Sequence, residues 1–225
     1  MRGPSMSRGA GSVDQKFRRR AMVRNQLRAK GIRDEAVLAA MGRVKRHEFV
    51  EEALQAQAYS DNALPIGYGQ TISPPFVVAR MSALLQVESG DRVLEVGTGS
   101  GYQAAVLAQI VDSVYTIEIV RELFASAKKR LKAAGYDNVL VKYADGYHGW
   151  PEKGPFDAII VTAAAEFVPP PLIEQLKEGG RMIIPVGNPF STQQLLEVVK
   201  ENGKSRTKNL MFVRFVPFTR SDSEK

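Results

Sequence analysis

A chain of 225 residues with 44% hydrophobic and 24% charged side chains is long enough to bury one substantial core and does not require a second domain. It contains no cysteine, which excludes disulfides, thiolate metal sites and a cysteine nucleophile, and no apolar run approaches the roughly 18 residues of a membrane span. The net charge of +7 is concentrated: residues 1–24 hold seven Lys or Arg against Asp14 alone, leaving +1 on the other 201 residues, so the basicity describes an N-terminal arm and not a nucleic-acid-binding body.

The first residues lack the apolar core of a signal peptide, so a cytoplasmic location is expected by default. Residues 1–13 are rich in Gly, Ser and Arg and read as a disordered leader. From Asp14 the pattern turns helical, with Phe17, Val23 and Leu27 among basic residues and Gly31 as a stop. A second helix starts at Asp34 and carries Val37, Leu38 and Met41 inward. These helices read as an addition that covers a core domain.

The passage from Tyr59 to Pro75 has too many turn formers for regular structure and too many apolar and hydroxyl residues for a solvated linker. It is expected to be a long, ordered, functional loop. Pro74 and Pro75 suit the first turn of a helix through Val77, Met81, Leu84 and Leu85. Ser73 then falls where a capping hydroxyl sits, and a plain N-cap and a site residue both remain open for it.

Residues 93–101 form the stretch around which the rest is organised: Val93, Leu94, Glu95 and Val96, then glycine at 97, 99 and 101. An apolar run, glycines, and helical spacing from Tyr102 to Ile110 read as strand, tight turn and helix. Glycine allows positive φ and close approach of a ligand to the backbone. The dinucleotide fingerprint would need a small residue at Tyr102, so G-x-G-x-G is a different nucleotide-binding turn. Glu118 closes the next strand, Val114–Ile117, 19 residues after Gly99, where such units place the carboxylate that accepts from ribose hydroxyls.

Arg121–Ala134 is amphipathic and ends at Gly135; Val139–Tyr143, Phe156–Val161 and Arg181–Pro185 read as strands three to five, the third followed by Asp145 and Gly146. The alternation predicts an α/β fold with a doubly wound, mostly parallel sheet and ligands at the carboxyl ends of its strands. Gln193–Lys200 and Leu210–Phe215 are expected to be edge strands. A single domain over 14–225 follows, divided into N-terminal helices and substrate loop (14–90), cofactor-binding core (91–187) and C-terminal edge strands (188–225).

Several stretches coincide with one family: GYGQTISPP at 67–75, VLEVGTGSGYQAAVLA at 93–108, YTIE at 115–118, FDAIIVTAAA at 156–165 and LKEGGRMIIPVG at 176–187. Together they resemble the protein-L-isoaspartate (D-aspartate) O-methyltransferases, over nearly everything from Phe17 to Thr219. The resemblance implies a Rossmann-like class I methyltransferase that uses S-adenosylmethionine, releases S-adenosylhomocysteine and needs no metal. It implies that Gly97, Gly99, Ser100 and Gly101 pack against the amino acid part of the cofactor and that Glu118 holds its ribose. Asp145 and Gly146 would stand at the adenine, with Ile72, Ser73 and Thr219 completing the surroundings. Ser73 matches the family's active-site serine. The RHEFV stretch, the loop before Gln70 and residues 163–170 resemble the parts that enclose the substrate peptide.

The implied partners are isoaspartyl-containing proteins and peptides, met by a monomer, with no nucleic acid and no membrane. An isoaspartyl linkage leaves its α-carboxylate free, with a pKa of roughly 3.5 by analogy with a terminal carboxyl, so no general base is needed and neither His47 nor His148 has to be recruited. Two histidines without cysteine or clustered acids argue against a metal site. Gln194 reads either as a site wall or as an edge-strand polar residue. A base-methylating enzyme would want amide and aromatic groups after strand four to hold a flipped base; Thr162 and three alanines stand there instead.

Overall fold

The computed structural model describes residues 8–221, with side chains from Asp14 onward. Helix α1 (Arg8–Ala21) runs directly into a π-helical stretch, Met22–Arg28. The wider i to i+5 repeat brings the buried Met22 and Leu27 onto one face. The helix as described starts at Arg8, six residues before Asp14 and within the stretch 1–13 read as a disordered leader. The rest of that leader, residues 1–7, lies outside the described residues. Phe17, one of the apolar positions that mark this helix, is exposed. Helix α2 (Glu35–Arg43) begins as expected, with the Asp34 carboxylate accepting from the Val37 N–H at 3.0 Å.

The 59–75 passage is not an irregular loop. It contains a two-stranded antiparallel hairpin, β1 (Leu64–Gly67) and β2 (Gln70–Ile72). Its turn residues Tyr68 and Gly69 both have positive φ, 55° and 69°, the twist that matches a tight hairpin. The turn formers are thus spent at the tip, and the apolar arms pair.

Ser73 does not cap the helix that follows. Helix α3 (Pro75–Leu85) has Pro74 at its N-cap, with no side-chain cap from that residue. Ser73 lies one position too early for its hydroxyl to reach the first free helical N–H. That donor, Phe76 N–H, goes instead to the Asp61 carboxylate at 2.9 Å.

The main sheet comprises β3 (Arg92–Val96), β4 (Ser113–Glu118), β5 (Val139–Tyr143), β6 (Phe156–Val161), β7 (Leu176–Val186), β8 (Gln193–Glu201) and β9 (Lys204–Val213), in the order β5-β4-β3-β6-β7-β8-β9. The first five run parallel and the last two antiparallel. Of the two C-terminal strands β9 forms an edge, with β5 at the opposite edge of the sheet; β8 lies between β7 and β9, which corrects its assignment as an edge strand. Its Val198 is fully buried, as a central strand requires.

Strand alternation divides the core. Val93, Ala158, Ile160 and Ile183 face one cluster with α2, α3 and α4 (Tyr102–Leu107), while Leu94, Val96, Ile159, Val161, Met182 and Ile184 face the other. Burial of each of these side chains except Ala158 contributes about 1.5–3 kcal/mol. Helix α5 (Arg121–Ala133) joins β4 to β5, and a short α6 (Pro170–Glu174), not foreseen, leads into β7. Leu94 pairs with Tyr115 of β4 on one side and Ile159 of β6 on the other, so the turn after β3 stands where the strand order reverses, the place such sheets bind ligands. This is a doubly wound, mostly parallel α/β fold.

Candidate active site

A cleft with about 900 Å³ of empty space, open to solvent, lies at the carboxyl ends of β3, β4 and β6. Gln70–Ser73 of the hairpin roof it on one side and residues 215–219 on another. An isolated bridge between Ala164 and Pro217 brings the latter segment to the sheet.

The glycine turn forms the floor. Gly97 has φ +100°, and a Cβ there would lie 2.4 Å from Thr162 Oγ1. The Thr162 hydroxyl needs that space, because it donates to Gly97 O at 2.7 Å and lies 3.1 Å from Val96 O. Gly101, φ +89°, is the N-cap of α4 and packs against Leu131. It shapes the turn from behind and does not line the cleft.

Two carboxyl groups meet this floor in different surroundings. Glu118, 6% exposed, accepts the Gly99 N–H at 2.7 Å through Oε2 and the Ile119 and Val120 N–H groups at 3.0 and 2.9 Å through Oε1. Three backbone donors hold it in one orientation before any ligand arrives, and the glycine turn is tied to the end of β4. Glu95 is fully buried. Its Oε2 accepts from Thr116 at 2.5 Å, while Oε1 finds no partner among the described residues. Burial pushes its pKa up to about 8 despite the Thr116 hydrogen bond, with Glu118 repulsion adding to it, so it holds its proton at neutral pH. Thr98 and Thr116 hydroxyls, 2.7 Å apart, extend this chain to the turn. Among the described residues, no lysine, arginine or histidine lines the cleft.

Of the residues singled out in the sequence, Ile72, Ser73, Gly97, Gly99, Ser100, Glu118, Gly146 and Thr219 come together on its walls; Gly101 and Asp145 do not. Gly146 is a flat wall, since a Cβ would lie 2.4 Å from Val96 Cγ1. Asp145 stands directly behind it. Its Oδ1 accepts the Tyr147 N–H at 2.9 Å, and its Oδ2 accepts from Arg220 Nε at 2.8 Å and Ser221 N–H at 3.0 Å. Burial would raise this carboxyl, but the Arg220 hydrogen bond, backed by the Ser221 and Tyr147 N–H groups, outweighs it and holds the pKa below the usual value. Asp145 thereby fastens the segment that carries Phe218 and Thr219 over the cleft.

His47 bonds the Tyr59 hydroxyl at 2.7 Å and does not line the cleft, nor does His148. Gln194 is exposed; its neighbour Gln193 is fully buried and accepts the Phe215 N–H at 2.8 Å. Glu95 as a buried acid, and the 2.8 Å hydrogen bond from Gln103, which lines the cleft, to Ser82, escaped the sequence reading. Their one signal is a polar residue inside an otherwise apolar strand or helix. Among the described residues no group of three or more His, Cys, Asp or Glu side chains could hold a metal ion, and no helix is long and apolar enough to cross a membrane.

Residues 18–223 match the family model described as protein-L-isoaspartate(D-aspartate) O-methyltransferase. Relatives bearing the name protein-L-isoaspartate O-methyltransferase include one from Opitutus terrae, 58% identical over 90% of this chain and 87% of its own, and one from Syntrophobacter fumaroxidans, 60% identical over 83% and 76%. Among solved structures, one of the same name superposes with a TM-score of 0.81 at 29% identity, covering 88% of this chain and 65% of that one; the chain thus spans just under two thirds of it. A Plasmodium falciparum structure described as a beta-aspartate methyltransferase in complex with S-adenosyl-L-homocysteine superposes at 0.79 with 30% identity, over 90% of this chain and 99% of that one. By sequence and by fold, the chain belongs to the protein-L-isoaspartate(D-aspartate) O-methyltransferase family.

Proposed function

We propose that the protein transfers a methyl group to the free α-carboxylate of L-isoaspartyl residues in damaged proteins and peptides, which starts their return to normal aspartate through a succinimide. The observation that carries this reading is Ser73, released from capping and set at a cleft whose described lining includes no histidine or lysine base. A nucleophile that is already ionised, with a pKa of roughly 3.5, needs none.

S-adenosylmethionine supplies the activated methyl group when bound, and S-adenosylhomocysteine is what remains. The residues present fit it. A cofactor with a net positive charge suits walls whose charge is acidic. Gly97, Gly99, Ser100 and Gly101 shape a backbone cradle for its amino acid end, and the pre-oriented Glu118 accepts from ribose hydroxyls. Gly146, with Asp145 behind it, gives a flat wall for a base; Ile72, Ser73 and Thr219 close the remaining sides.

Ser73 donates a hydrogen bond that orients the substrate carboxylate and attacks nothing itself. Holding reactants in line can supply about 7–11 kcal/mol of the barrier, and the hairpin and the 215–219 segment exclude water from the pair. The domain 14–225 serves as a whole: 14–90 brings the hairpin, 91–187 the cofactor floor, 188–225 the closing segment. Because one chain supplies every wall, we read it as a monomer, acting in the cytoplasm on protein and peptide substrates and not on nucleic acid.

The test offers an isoaspartyl peptide and its normal aspartyl twin with labelled methyl donor. Labelling of the isoaspartyl peptide alone is expected, and equal labelling or none refutes the reading. Ser73→Ala is expected to slow methylation with cofactor affinity largely kept.

A further inference from the structure

The hairpin that carries Ser73 is closed at its base by a single side chain. Asp61 precedes the hairpin and Phe76 follows it, and the Asp61 Oδ1 to Phe76 N–H bond of 2.9 Å joins the two ends. Pro74 and Pro75 have no N–H to offer, so Phe76 is the first donor of α3, and a carboxylate there also meets the positive end of the helix. The other carboxylate oxygen, Oδ2, accepts from Lys30 Nζ, just beyond the π-helical stretch. The same ammonium lies 5.3 Å from the centre of the Phe76 ring.

The backbone on either side of Asp61 is anchored as well. The fully buried Arg46 donates to Ala58 O at 2.7 Å and to Asn62 O at 3.5 Å, and its guanidinium stacks 4.9 Å from the centre of the Tyr102 ring, itself part of the cleft wall. Gln26 donates to Tyr59 O at 3.0 Å. Side chains of the N-terminal segments thus converge on residues 58–62. Nothing in that stretch lines the cleft; of the elements it holds, α3 reaches the cleft through Val77, Val78 and Met81, and the hairpin reaches it through Gln70–Ile72 and the adjoining Ser73.

We propose that Asp61 is a positioning residue for methyl transfer: capping α3 from outside its own segment and braced by Lys30, it sets the place of Ser73 against the cofactor floor. This rests on the orienting role given to Ser73 above. It also gives the N-terminal helices a part in turnover beyond covering the core.

The experiment is a double-mutant cycle on the full chain with an isoaspartyl peptide, using Asp61→Ala, Ser73→Ala and the pair, with cofactor affinity and thermal midpoint measured alongside. Asp61→Ala is expected to lower kcat about tenfold to a hundredfold, the scale of a misplacement near 1 Å, with the cofactor Kd changed less than about threefold. The double variant should turn over no more slowly than Ser73→Ala, because the two act on one contact. Asp61→Asn, which keeps an acceptor for Phe76, should recover most of the rate. Losses that multiply in the pair, an unchanged kcat in Asp61→Ala, or a cofactor Kd that weakens in step with kcat would each overturn the assignment. An unchanged rate in Ser73→Ala would instead remove the serine's role, and with it this route. If Asp61→Ala does not fold, Asp61→Ser, whose hydroxyl reaches less far, carries the same comparison.

Discussion

Glu95→Gln tests the most unusual electrostatic feature of the site. The wild-type carboxyl is fully buried, with a pKa raised from 4.5 to about 8. Between those values the folded protein keeps a proton that the unfolded chain has lost, so stability falls as pH rises through this window and levels off above it. The slope for one such group is about 1.4 kcal/mol per pH unit, and the whole window spans on the order of 5 kcal/mol. Glutamine has nearly the same shape and cannot ionise, and it can still accept from Thr116. Urea denaturation of both proteins at half-unit steps from pH 5 to 8 gives the difference in unfolding free energy. His47, whose folded pKa is lowered chiefly by burial, makes stability fall toward acid in both proteins and cancels in the difference. The variant should gain on the wild type by roughly 1 kcal/mol or more for each unit of rising pH. A difference that stays flat across the window would mean that Glu95 is ionised in the folded state, and the reasoning would fail.

Glu118→Gln replaces a carboxylate held by three backbone donors with an amide that must turn its NH2 toward one of them. With a charged hydrogen bond worth roughly 1.5–3 kcal/mol, cofactor affinity measured by calorimetry should weaken about tenfold to a hundredfold. Gly97→Ala places a Cβ 2.4 Å from Thr162 Oγ1 at φ +100° and should cost about 1–3 kcal/mol of stability; a denaturation midpoint equal to that of the wild type would show that the turn has room to spare.

What the sequence made legible was what short-range chemistry decides. Val139–Tyr143 and Phe156–Val161 have the bounds read from their apolar runs, and the Glu118 spacing anticipated a carboxylate that does reach Gly99. The misses depend on distant partners. Whether Ser73 caps α3 could not be judged locally, because the competing cap, Asp61, comes from the far side of a hairpin. Asp145 showed its position beside the glycine wall, but not its hold on Arg220, 75 residues away. The hairpin itself was hidden because Gly67 and Gly69 look alike whether they break a chain or turn it. Strand order beyond β7 is equally invisible to local pattern: Gln193–Glu201 would alternate the same way at an edge or inside it.

Among the described residues no basic side chain lines the cleft, which bears on selectivity in a crowded cell. Adenosine is carried by many abundant molecules, and most of them bear phosphates. A pocket that recognised adenosine by shape alone would be occupied by ATP for much of the time. On the proposed reading, in which Glu118 takes the ribose hydroxyls, the described walls put a fixed carboxylate and no cation beside a bound nucleotide, so like-charge repulsion and uncompensated desolvation count against the polyphosphate. Rejection by charge leaves the shape of the site free to serve the reaction, and it can be measured directly: added ATP should fail to displace labelled cofactor from the protein.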